Sequence, residues 1–226
     1  MSLAGARALR MWSPGPAGRF ARGIVHGGLN LGLHFEPGMT VGLFGGSFDP
    51  AHEGHAHVAR TALDRLGLDR VVWLVSPGNP LKPAASGDLA RRMTGARRLA
   101  PGPRMLVSDA EARLGLRYTI DTVRALKARW PRVRFVWLMG ADALMEFHRW
   151  RGWTDLMAEV PVAVVTRPGS AIRSRFAPAA VRFAHARTPA SRAPRLARTA
   201  PPAWTFLVAP WRFASSTALR AQGATH

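Results

Sequence analysis

The sequence contains no cysteine. That absence removes disulfide scaffolds, thiolate zinc sites, iron–sulfur clusters and cysteine nucleophiles. Lysine is scarce too: Lys82 and Lys127 are the only two among 32 basic residues, and all the others are arginine. Acids number 13 in 226 residues, which leaves a formal charge of +19. No apolar run approaches the ~18 residues that a membrane-crossing helix needs, and no membrane partner is expected. The basic residues are scattered, with no run of five or more. A polynucleotide is therefore not expected as the main ligand, and the charge suits small phosphorylated ligands equally well. Arginine is abundant together with alanine, glycine and proline, a pattern that resembles GC-rich coding bias.

What is present fits a folded chain. Hydrophobic residues make up 47% and charged residues 20%, enough apolar surface for one domain with a sizeable core. Residues 1–38 stand apart in composition. Met1 to Leu33 holds Arg7, Arg10, Arg19 and Arg22, no acid, and no lasting amphipathic period. The segment reads as a disordered leader, or as an upstream start with the working start at Met39. A targeting segment is the alternative. Residues 39–226 form the expected domain, and within it residues 170–203 read as an insert rich in arginine and proline. Apart from a short helix near Pro178 to Ala186, that insert is expected to be loop.

From Thr40 onward, strand and helix patterns alternate. Val41–Phe44, Val71–Val75, Met105–Val107, Phe135–Met139, Val160–Thr166 and Thr205–Val208 are short apolar runs, of the kind buried on both faces of a sheet. Helical spacing appears over His55–Leu66, Asp88–Ala100, Thr119–Trp130 and Ser215–Gln222. The alternation implies right-handed crossovers and an α/β class: a Rossmann-like, doubly wound, mostly parallel sheet with helices on both faces. In such sheets ligands sit beyond the carboxyl ends of the strands, where strand order reverses. The loops rich in glycine, proline and histidine all follow strands, so they should share one rim.

The densest chemistry lies in Gly45-Gly46-Ser47-Phe48-Asp49-Pro50-Ala51-His52-Glu53-Gly54-His55, between the first strand and the first helix. Two glycines permit close backbone approach, and the helix that follows turns its amino end toward the same place. His52 and His55 lie three apart, so both imidazoles can face one anion. They could instead be metal ligands, which would need a third protein ligand such as the nearby Asp49, or histidines without a role. The anion reading fits the turn best, and no residue is assigned as a protein ligand for metal.

This segment resembles the signature of the nucleotidylyltransferase superfamily, with its (His/Thr)-x-Gly-His motif. Ala214-Ser215-Ser216-Thr217-Ala218-Leu219-Arg220 is similar to a second superfamily motif, Ile-Ser-Ser-Thr-x-Ile-Arg. Tyr118-Thr119-x-Asp121-Thr122, Gly140-Ala141-Asp142-Ala143-Leu144, Phe147-x-x-Trp150 and Arg167-Pro168-Gly169 resemble the bacterial nicotinate-mononucleotide adenylyltransferases. The resemblance implies transfer of the adenylyl group of ATP to nicotinate mononucleotide in NAD biosynthesis, with Mg2+ accompanying ATP. It assigns His52, His55, Lys82 and Arg220 to catalysis. Gly45, Gly46, Ser47, Phe48, Ser215, Ser216 and Thr217 are assigned to ATP, and Tyr118, Thr119, Asp142, Trp150 and Arg151 to nicotinate mononucleotide.

One departure stands out. Family members often carry Pro-Pro-His-Lys after the second strand, where this chain has Gly78-Asn79-Pro80-Leu81-Lys82. Leu81 occupies the histidine position. The alternatives are another acceptor, nicotinamide mononucleotide or pantetheine phosphate, or a non-catalytic RNA-binding protein. A cytoplasmic location and a homo-oligomer complete the expectations.

Overall fold

The structure, a computed structural model, describes residues 30–78, 88–100, 102–166 and 174–209. Six strands form one sheet: β1 (Thr40–Gly46), β2 (Arg70–Val75), β3 (Met105–Ser108), β4 (Arg134–Gly140), β5 (Val162–Thr166) and β6 (Trp204–Val208). Their spatial order is β3-β2-β1-β4-β5-β6, and every pairing is parallel. The helices are α1 (Glu53–Arg65), α2 (Leu89–Leu99), α3 (Ala110–Arg113), α4 (Thr119–Arg129), α5 (Ala141–Phe147), α6 (Trp153–Glu159) and α7 (Pro178–Arg182).

The apolar runs are continuous because each strand feeds two cores. Along β2, Val72 and Leu74 enter one cluster, while Val71, Trp73 and Val75 enter the other. Along β4, Phe135, Trp137 and Met139 alternate in the same way with Val136 and Leu138. This is the period-2 alternation of side chains along a strand. Helix α4 covers the first cluster with Ile120, Val123 and Leu126, and α5 adds Leu144 and Phe147. Helix α1 covers the second with Ala56, Ala59, Ala62 and Leu63, and α2 adds Met93 and Ala96. Small alanines let α1 lie close to the sheet. The expected doubly wound α/β architecture is present, with a sheet that is wholly parallel.

Three details differ from the sequence reading. The packed structure does not begin at Met39: Leu31 and Phe35 are 3% and 5% exposed, and Phe35 packs edge-on against Trp130 and Phe135. The Leu31 carbonyl also accepts from Ser108 Oγ at 3.0 Å, so a boundary between 38 and 39 does not coincide with the start of packing. Short helices α3, α5 and α6 lie where no helix was expected. Within the arginine-rich stretch, 3-10 turns over Ala190–Arg198 bury Ala193, Leu196 and Ala197 against the second cluster. The helix expected over Ser215–Gln222 lies outside the described residues.

Candidate active site

The order β3-β2-β1-β4-β5-β6 reverses direction between β1 and β4, which is where a doubly wound sheet opens a crevice. A cavity of about 330 Å³ lies there, lined by Gly45, Gly46, Ser47, Ser76, Gly78, Glu111, Arg117, Tyr118, Thr119, Trp137, Arg149, Trp150 and Arg151. Gly45 is required by the floor of this cavity. A Cβ on it would lie 2.5 Å from Cη2 of Trp137, an indole that is only 1% exposed and cannot retreat.

Beyond the glycines the chain turns through Phe48, whose φ of +48° is left-handed. Such a backbone costs a bulky residue about 1–3 kcal/mol. The ring offsets that strain by packing: it is 1% exposed and lies within 5.0–5.4 Å of the rings of His55, Trp73 and Phe44. Phe48 thus anchors the turn from the core, and only its backbone remains to meet a ligand.

The turn is clamped from a second element. Arg92, 2% exposed on α2, donates from Nη1 to the carbonyls of Ser47 at 2.7 Å and Ser76 at 2.8 Å. Its neighbour Arg91 donates to Asp49 Oδ1 at 2.9 Å. Both carbonyls are drawn toward a cation, away from any anion in the cavity. Sequence reasoning missed Arg92. A signal existed, because Arg92 falls on the same helical stripe as Leu89, Ala96 and Leu99, an apolar face where a charge needs a reason.

His52 occupies the N-cap of α1 and His55 its third position. Their rings stack with centroids 3.8 Å apart and planes 26° apart. The His52 backbone N–H donates to His55 Nδ1 at 3.2 Å, so in the neutral ring the proton resides on Nε2. Burial, and secondarily the neighbouring His52, lowers the His55 pKa to about 3. At neutral pH His55 is an uncharged N–H donor at the positive end of a helix.

On the other face of β1, the N-terminus of α4 brings Tyr118 and Thr119 to the cavity. The Arg151 guanidinium lies 4.5 Å from the centre of the Tyr118 ring. Trp150 is held edge-on by Phe147 at 5.3 Å and Trp137 at 6.2 Å, so the core fixes its orientation while it lines the cavity. Asp142 is exposed in the first turn of α5 and is not part of the lining. Of the residues singled out from sequence, Gly45, Gly46, Ser47, Tyr118, Thr119, Trp150 and Arg151 converge on this one cavity. His52 and His55 are not among its lining residues and stand at the head of the helix that follows the turn. Lys82, Ser215, Ser216, Thr217 and Arg220 lie outside the described residues.

Among the described residues no group of three or more His, Asp and Glu side chains is arranged to hold a metal ion. None of the described helices is long and apolar enough to cross a membrane.

The cytidylyltransferase-like family matches residues 43–222. A protein of Caulobacter sp. (strain K31) named "Probable nicotinate-nucleotide adenylyltransferase" is 64% identical over 183 residues, which is 80% of this chain and 97% of its own length. A protein of the same name from Cereibacter sphaeroides is 56% identical over 185 residues, 82% of this chain and 98% of its own. Among solved structures, the Plasmodium falciparum nicotinic acid mononucleotide adenylyltransferase complexed with NaAD matches with a TM-score of 0.62. That match has 14% identity, spans 81% of this chain and 83% of the other, and speaks for the fold alone. On the identity and coverage of these relatives, the chain belongs to the cytidylyltransferase-like family, among its nicotinate-nucleotide adenylyltransferases.

Proposed function

We propose that the protein transfers the adenylyl group of ATP to nicotinate mononucleotide, giving deamido-NAD and pyrophosphate. The observation that carries this reading is the convergence of Gly45, Gly46 and Ser47 with Thr119, Trp150 and Arg151 around one cavity at the strand-order reversal. An oxygen of the acceptor's 5′-phosphate attacks the α-phosphorus in line. The bond from that phosphorus to the α,β-bridging oxygen breaks, and pyrophosphate leaves. The attacking phosphate is already ionised, so no general base is needed. Positioning and charge stabilisation supply the acceleration.

In this reading the glycine turn lets the backbone approach the α-phosphate, and His52 and His55 donate to it. His55 enters uncharged because burial holds its pKa at about 3. A phosphoryl anion alongside favours the protonated ring, so the donor strengthens as negative charge develops. Lys82, Ser216 and Arg220 would hold the β- and γ-phosphates, with Ser215 and Thr217 beside them. Mg2+ enters as part of the MgATP substrate, since the donors around this turn are N–H groups rather than a set of oxygen ligands. Trp150 offers a platform to the pyridine ring. Thr119 and the N–H groups at the start of α4 receive the ring carboxylate, with Tyr118 and Arg151 beside them. The family resemblance gives Asp142 a ribose hydroxyl of the acceptor. The reading puts the enzyme in the cytosol, where ATP is.

The test is pyrophosphate release from ATP with nicotinate mononucleotide, nicotinamide mononucleotide or phosphopantetheine as acceptor. Turnover fastest with the nicotinate compound is expected. Release with none of them, or fastest with phosphopantetheine, rejects the reading.

A further inference from the structure

One carboxyl group in the cleft has no part in the reaction as described. Glu111, on α3, is 6% exposed and lines the same cavity as Thr119 and Trp150. Thr122 Oγ1 donates to its Oε1 at 3.1 Å. Its second oxygen has no hydrogen-bond partner among the described residues. Arg117, Tyr118, Arg149 and Arg151 are the other titratable groups of the lining, and no other carboxylate or imidazole belongs to it. None of these arginines forms an ion pair with Glu111 among the described residues. Burial, opposed in part by the Thr122 hydrogen bond, raises its pKa to about 7.

A buried acid is out of place in a cavity that must admit a triphosphate and a phosphomonoester, because like charge there weakens binding. It makes chemical sense only against a cationic part of a ligand. Between the two substrates there is one: the pyridine nitrogen of the acceptor, alkylated by ribose and therefore positive at every pH. Resting on the adenylyl-transfer reading, we propose that Glu111 is the counter-charge for the pyridinium ring of the acceptor. It selects a charged ring over a neutral one. The choice between ring carboxylate and ring amide is left to Thr119 and the start of α4. A bound cation favours the ionised carboxylate, so acceptor binding expels a proton from Glu111 to the solvent.

The experiment compares the intact protein with Glu111→Gln, which keeps the size of the side chain and its acceptor for Thr122. Nicotinate mononucleotide binding is followed by calorimetry near pH 7 in buffers of different ionisation enthalpy, and steady-state constants are measured for both substrates. The wild-type protein is expected to release a substantial fraction of a proton on binding the acceptor, and the variant none. The variant should bind the acceptor about tenfold more weakly, the scale of one lost charge-assisted contact, with KM for ATP within about twofold. The reduced mononucleotide, whose ring is uncharged, should bind both proteins alike. Unchanged acceptor affinity, equal weakening of ATP, or no proton release by the wild-type protein overturns the assignment. Wild-type protein that turns over while the variant shows none of these differences refutes Glu111 alone. Wild-type protein that releases no pyrophosphate refutes the reading on which it rests.

Discussion

The two sides of the cleft are built on different physical terms. On the α1 side, the groups that shape the turn are tied to the core: Phe48 is buried among aromatic rings, Arg92 is buried across two carbonyls, and His55 is half-buried and neutral against His52. On the α4 side, Arg117, Arg149 and Arg151 are exposed, and Trp150 is half in the core and half in the cavity. Preorganised, water-poor donors act on the transition state, whereas exposed charges attract and select a ligand. Damage to the first side should therefore appear in kcat or in the integrity of the turn, and damage to the second in the acceptor KM.

The sharpest way to break this contrast is His55→Ala. Loss of one preorganised donor should lower kcat by about 10²-fold or more in a protein that still folds. A kcat close to wild type would move the chemistry off the α1 side.

Arg92→Met comes next. It strips the Ser47 and Ser76 carbonyls of a charged donor, at a cost of about 1–3 kcal/mol. Thermal unfolding should shift downward, and KM for ATP should rise more than KM for the acceptor. A variant with wild-type stability and wild-type ATP affinity would show that the clamp does not hold the turn.

Trp150→Ala probes the other side. The acceptor KM should rise roughly tenfold, in line with the loss of one aromatic stacking partner, while KM for ATP changes little. Equal loss for both substrates would mean that the indole only packs the core.

The smallest effect is in stability against pH, where the two sides oppose each other. His55 has its pKa lowered from 6.5 to about 3. In that window the unfolded chain binds the extra proton, so stability is lost as pH falls. Glu111 has its pKa raised from 4.5 to about 7. Between those values the folded chain binds the extra proton, so its contribution is lost as pH rises. The two trends counter each other where the windows overlap. Glu111→Gln should therefore make stability climb more steeply with pH over that overlap than in the wild-type protein. Urea midpoints at a series of pH values measure this, and parallel curves would deny the opposition.

Most of the fold was legible because the alternation was long and regular. Val71 to Val75 is apolar throughout since both cores claim it, and Thr119 to Arg129 carries a clear stripe at 120, 123 and 126. Helices α5 and α6 escaped notice because seven residues are too few to establish a period. Leu31 and Phe35 were hidden by the glycine-rich, arginine-rich composition around them: two anchors suffice to pin a segment, yet they leave no pattern. The glycine–histidine turn was legible because its residue types and spacing carry chemistry, whereas Thr119 and Trp150 were legible only through the family resemblance of the motifs that hold them. Glu111 was not. An acid after a short strand looks like any surface carboxylate, and its burial depends on α4 and the cleft, which only tertiary packing brings to it. The identity of Gly45 was plain from the start, but its reason, the indole of Trp137 from a strand far away in sequence, was not.

The most direct test of the account is a crystal structure of the protein with nicotinate mononucleotide and a non-hydrolysable ATP analogue. The account predicts the α-phosphate over Gly45 and Gly46 within hydrogen-bonding reach of His52 and His55, the β- and γ-phosphates on Ser216 and Arg220, and the pyridine ring on Trp150 with its nitrogen toward Glu111. A triphosphate bound on the arginine-rich segment after β5, with the cleft between β1 and β4 empty, would contradict it.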